Sequence, residues 1–79
     1  MKHDIDRLQK LCRKSGFSLA EFGNGHFQIQ GEDGFVNYWP TSRRKTLHGT
    51  LIGTHRWVTP ERAVALAAQE QKKHKEMLG

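Results

Sequence analysis

The chain has 79 residues, a single cysteine and a formal charge of +5. A chain this short buries only about two-thirds of the surface it exposes when unfolded, so it is limited to one domain with one small core. Cys12 has no partner for an internal disulfide, which points to a reducing, cytoplasmic setting, and no apolar run approaches the ~20 residues of a membrane span.

Met1-Lys2-His3-Asp4 leads directly into an amphipathic pattern rather than a signal peptide. Asp4 can cap a first helix over 4–15, in which Ile5, Leu8, Leu11 and Cys12 fall on one stripe while Arg7, Lys10, Arg13 and Lys14 lie on the wetter side. Gly16 suits the left-handed position after a helix end. Phe17 to Phe22 follows as a first strand, with Phe17 and Leu19 inward. Gly23-Asn24-Gly25 then reads as a flexible lead into His26-Phe27-Gln28-Ile29-Gln30, where apolar and polar residues alternate. Gly31-Glu32-Asp33-Gly34 carries turn chemistry, and Phe35 to Trp39 is β-prone until Pro40. These two runs make a hairpin.

Residues 40–58 are less patterned. Pro40 to Thr46 is a basic, polar loop, Leu47 to Gly53 is a short apolar piece with a candidate strand near 50–52, and Thr54 to Val58 fits an extended segment or a loop. A second helix then starts clearly, with Thr59 as cap, Pro60 at the first helical position and Glu61 at the positive end of the dipole. Ala63, Val64, Leu66, Ala67 and Ala68 give it a face that can approach a sheet closely. From Gln69 onward little remains to bury. The domain therefore reads as residues 1–79, with 4–70 as the folded part and 71–79 as a charged, frayed extension. The class is α+β in the order α-β-β-β-α, a three-stranded antiparallel sheet with both helices on one face and the other face open. Leu8, Leu11, Phe17, Phe27 or Ile29, Val64 and Leu66 are the expected core.

His26 has two readings. In one it satisfies a loop carbonyl or faces water. In the other, beside two glycines that let a phosphate approach the backbone, it is a general base or acid near neutral pH, and with a basic loop to hold phosphates it would cleave RNA at a 2′-hydroxyl without a metal. Asn24, Gln28, Arg43, Arg44, Lys45 and Arg56 are the candidate nucleic-acid contacts, since Arg and Lys pair with phosphates. A sequence pI near 9.8 favours RNA or another polyanion as partner. Tyr38-Trp39 and Arg56-Trp57 place aromatic rings beside cations, either as stacking platforms or as packing in a core short of large side chains. The five histidines lack the close spacings of zinc sites, so neither a metal nor another cofactor is expected.

The run from Ile5 to Gly16-Phe17, then Gly23-x-Gly25-His26-Phe27, a strand closing on Pro40, and Leu47-x-Gly49-Thr50-Leu51 resembles, in that order, the HicA-type mRNA interferase toxins. The likeness covers about residues 5–51. It implies a double-stranded-RNA-binding-domain-like α-β-β-β-α fold, a ribonuclease whose catalytic histidine opens the second strand, here His26, and a HicB-like antitoxin as partner. The chain departs from that pattern at Thr41 and Ser42, where the family commonly has a histidine after the proline, and at 52–58, which intervene before the second helix. Val36 to Ser42 also resembles small phage and prophage proteins of unknown function. The alternative function is of a different class, a non-catalytic phage- or prophage-encoded protein that uses the basic open sheet face to bind and inhibit a host protein, for example one of a defence complex.

Overall fold

The computed structural model describes residues 2–78. Helix α1 (Lys2–Ser15) ends where Gly16, at φ +80°, allows two capping bonds, Gly16 N to Arg13 O and Phe17 N to Cys12 O. Five strands follow: β1 (Ser18–Gly23), β2 (His26–Gln30), β3 (Phe35–Tyr38), β4 (Leu47–Gly49) and β5 (Gly53–His55). Helix α2 (Pro60–Leu78) follows the last of these strands. Its cap is the one the sequence predicts, with Arg62 N donating to Thr59 Oγ1 at 3.2 Å.

The strands pair antiparallel in sequence order, β1-β2-β3-β4-β5. The mixed α+β class thus holds, but the expected three strands are five. The additional pair lies within 40–58, where each strand is only three residues long and contains a glycine, too short for alternation to reveal. The segment expected as a strand, 50–52, is instead the turn between β4 and β5. The lead into His26 is also corrected. Asn24 and Gly25 both have positive φ (53° and 77°), as the two-residue turn of a tight hairpin requires, so β1 and β2 are joined by an ordered reversal.

Alternation sorts the sheet into two faces. Leu19, Ile29, Val36 and Gly49 are aligned across β1 to β4 on one face, and Phe27, Tyr38 and Leu47 form the next row. This face meets Leu8 and Cys12 of α1 and Ala63, Val64, Leu66 and Ala67 of α2, all buried. Of the expected core, Leu8, Phe27, Ile29, Val64 and Leu66 are buried, whereas Leu11 and Phe17 pack against it half-covered. Tyr38 is buried with its hydroxyl donating to Val58 O at 2.5 Å, so its one polar atom is satisfied inside the core. Among the described residues no helix is long and apolar enough to cross a membrane.

α2 does not fray at Gln69. Glu70 is 0% exposed, and its carboxylate accepts from Leu51 N at 2.9 Å and Ile52 N at 3.0 Å, both in the β4–β5 turn. His74, one turn further along, donates from Nε2 to the same carboxylate at 2.5 Å. Gln71 Oε1 accepts from Asp33 N at 3.1 Å, tying the helix to the β2–β3 turn as well. A buried carboxylate is tolerated only when hydrogen-bonded in this way. Its proximity also explains the glycine at 49, because a Cβ there would run into the Glu70 carboxylate and Ile52 Cγ1. The solvated extension expected from residue 71 is therefore corrected for Gln71 and His74, while Gly79 lies outside the described residues.

Burial raises the Cys12 thiol to about 11 from 9.0, and raises the Tyr38 phenol to about 12 from 10.0, with Asp4 and Glu61 adding to the effect on Tyr38. Both groups are neutral when protonated, and both are held protonated by the fold. Their contribution to stability is therefore complete below about pH 9 and is lost as the unfolded chain deprotonates first. The denaturation midpoint is expected to be level up to about pH 9 and to fall from there to pH 12, with tyrosinate absorbance, reporting the single tyrosine, appearing only near the top of that range. Tyrosinate forming near pH 10 in the folded protein would contradict this. Glu70→Ala is expected to cost about 2–4 kcal/mol in urea denaturation, because two turn amides and His74 lose their acceptor together. Glu70→Gln, which keeps one acceptor oxygen, is expected to cost less, and a loss under ~0.5 kcal/mol in the alanine variant would show that water replaces the carboxylate.

Candidate nucleic-acid interface

With Val36 and Tyr38 turned inward, Asn37 must face out, and so must Gln28, its partner across β2 and β3, and His48, its partner across β3 and β4. The face away from the helices thus carries a row of polar side chains, with Phe35 outward beside Gln30. His26 opens β2 on this side, half-buried, and its Nε2 lies 2.8 Å from Asn37 Oδ1. Asn37 Oδ1 also accepts from Gln28 Nε2 at 3.2 Å, and Gln28 Oε1 accepts from Gln30 Nε2 at 2.6 Å. An oxygen at that position of Asn37 requires the His26 proton on Nε2. In the neutral ring the basic lone pair is then on Nδ1.

Two aromatic rings fix the imidazole further. Trp39 stacks on it with centroids 4.7 Å apart and planes 14° from parallel, and Phe22 meets it tilted at 5.2 Å. Phe22 reaches this point because β1 carries an irregularity between Glu21 and Gly23 just before the turn. The ring is thereby held in position by one hydrogen bond and two aromatic contacts, the arrangement a reactive imidazole needs.

The register brings other elements to the same end of the sheet. β2 starts there, β3 ends there, β4 starts there and β5 ends there, so the β3–β4 loop and residues 56–58 are neighbours. Trp57 N donates to Arg44 O at 2.6 Å and Val58 N to Lys45 O at 3.1 Å, which fastens the two segments together. The loop also lies against the Asn24-Gly25 turn, since a Cβ on Gly25 would stand 2.8 Å from Thr41 Oγ1.

Each residue singled out from the sequence can now be placed. His26 and Gln28 share the open face and one hydrogen-bonded network. Asn24 is exposed at the tip of the adjoining turn, where its backbone at φ 53° is its main contribution. Arg43, Arg44 and Arg56 are exposed at the same end. Lys45 is half-buried at φ 45° and its Nζ donates to Pro40 O at 3.3 Å, so it braces the loop it belongs to. Sequence reasoning missed Asn37, Phe22 and His48. His48 is exposed on the same face, its Nδ1 2.9 Å from Thr54 Oγ1. The signal was present for Asn37, because fixing Tyr38 as inward fixes its neighbours as outward.

Neither a family model nor a characterised protein nor a solved structure matches this chain.

Proposed function

We propose that the open sheet face binds RNA and that His26 cleaves it without a metal. The observation that carries this reading is the oriented imidazole, bonded through Nε2 to Asn37 and stacked on Trp39, on an open face with exposed arginines at its edge. In the reaction, Nδ1 of His26 takes the proton of a ribose 2′-hydroxyl. The 2′-oxygen attacks the adjacent phosphorus and the bond to the 5′-oxygen of the next nucleotide breaks, leaving a 2′,3′-cyclic phosphate. The departing oxygen takes a proton from solvent. Arg43 and Arg44 neutralise phosphate charge and carry no sequence information. This is the chemistry that the resemblance to HicA-type toxins implies, and a HicB-like antitoxin would then cover this same face. A buried, free Cys12 is consistent with an intracellular target in a reducing compartment. The competing reading, a non-catalytic protein docked on a host protein, draws on the exposed Phe22 and Phe35 of the same face.

His26→Ala is expected to abolish RNA cleavage and growth inhibition on induction, while circular dichroism and RNA affinity remain near wild type. His26→Gln, with a side-chain amide able to reach Asn37, should be equally inactive. Cleavage that persists in both variants would remove His26 from the mechanism. Replacing Arg43 and Arg44 together by alanine is expected to weaken binding to every RNA sequence alike and to lower the slope of log K against log salt by about 2. An unchanged affinity and slope would shift the balance to the protein-partner reading.

A further inference from the structure

Trp57 is the most exposed tryptophan on the molecule, at 68%, and it is the residue whose backbone is least expected, at φ +60°. The left-handed region is a genuine outlier for so bulky a side chain. Such a conformation persists only where the surroundings enforce it, and it concentrates at functional positions. Here the enforcement is visible on both sides. Trp57 N and Val58 N are bonded to the carbonyls of Arg44 and Lys45, and Val58 is buried with its own carbonyl accepting from Tyr38. The backbone that inserts Val58 into the core is the same backbone that turns the indole out into water.

The chain around this indole is cationic. Arg56 precedes it, and Arg43 and Arg44 belong to the segment fastened to it; all three are exposed. Trp57 follows β5, and His26 opens β2, at the same end of the sheet. Three strand spacings of about 4.8 Å separate those strands, so the start of β2 and the end of β5 lie roughly 14 Å apart across the sheet. A single strand a few nucleotides long spans such a distance.

We propose that Trp57 is a base-stacking platform for single-stranded RNA, a second anchor for the strand whose scissile phosphate lies at His26. The proposal rests on the RNA reading above and adds to it the form of the substrate. A ring stacked on Trp57 requires an unpaired base, whereas Arg43, Arg44 and Arg56 serve any phosphate backbone. The chemistry on this edge is therefore that of a single-strand site, in which a basic track carries the backbone and an aromatic ring takes a base.

The test measures binding of a labelled oligouridylate of about ten nucleotides, with inorganic polyphosphate and duplex RNA as competitors. Trp57→Ala is expected to weaken oligouridylate binding roughly 5- to 150-fold, the loss of one stacked base. Its affinity for polyphosphate, which has charge but no bases, and its salt slope should stay as in wild type. Trp57→Phe, which keeps a ring, should retain most of the affinity, and duplex RNA should compete weakly against wild type. Oligouridylate binding unchanged in Trp57→Ala, an equal loss toward polyphosphate, or a phenylalanine variant as weak as alanine would each overturn the proposal. If the alanine variant binds and cleaves as wild type does, only the stacking role falls. A wild-type protein that binds no RNA overturns both this proposal and the reading beneath it.

Discussion

The Glu70 carboxylate is the tie on which the far side of this molecule depends. β4 and β5 are three residues each, and a pair of that size has little cohesion of its own. What holds their connection is a pair of charge-assisted bonds from the turn amides to an acid on α2, completed by His74. Because the carboxylate is fully buried, the arrangement is all or nothing: the acid cannot leave its amides without becoming an uncompensated internal charge. The β4–β5 pair in turn sets the position of residues 56–58, so a helix on one face of the sheet governs the loop edge beside the other.

That edge is where the candidate site residues collect. A five-strand meander places alternate turns at opposite ends, and the end that begins β2 also receives the β3–β4 loop and the exit of β5. Residues far apart in the chain come to one end of the sheet in this way: Trp39 stacks on His26 and, three strands away, Trp57 is bonded to Arg44. The two faces contribute differently. The apolar face supplies rigidity through Ile29, Val36, Tyr38 and Leu47, and the polar face supplies a network of amides in which each member fixes the next. Asn37 is central because it bonds both His26 and Gln28.

Much of this was legible in the sequence, and the reason differs by element. The β2–β3 hairpin and the start of α2 carry turn and cap signals that agree, and they lie where expected; α1 ends where expected but starts at Lys2, so Asp4 stands in its first turn and is not its cap. The Asn24-Gly25 turn is equally written, since an Asn-Gly pair between β-prone runs is a strong hairpin signal, although the glycines at 23 and 25 also suit a flexible lead. β4 and β5 are different: with glycine at one end of each, neither has enough side chains for a pattern. Glu70 could not be read at all. In a polar run such as Gln69 to Lys75 a buried acid looks like its exposed neighbours, and only the approach of a distant turn distinguishes it. At the site, His26 and the Arg56-Trp57 pair stand out by residue type, whereas the place of Asn37 follows from register and the outward turn of Trp57 from its backbone conformation.

The order of the strands also bears on how the chain comes to be folded. Every strand pairs with its sequence neighbour, so the sheet can zip progressively through short loop closures, which favours rapid folding. The helices do not share this locality. α1 packs along α2 and against β1, while α2 is the element that lies over β2, β3 and β4. During synthesis the strands leave the ribosome before the helix that covers them. Until it arrives, Val36 and Leu47 face water and the β4–β5 turn has no acceptor, so the nascent chain holds the histidine and the arginines without the frame that aligns them. The geometry of this edge is thereby deferred until α2, Pro60–Leu78, has been made, and a chain cut before that helix would lack the acceptor for its β4–β5 turn.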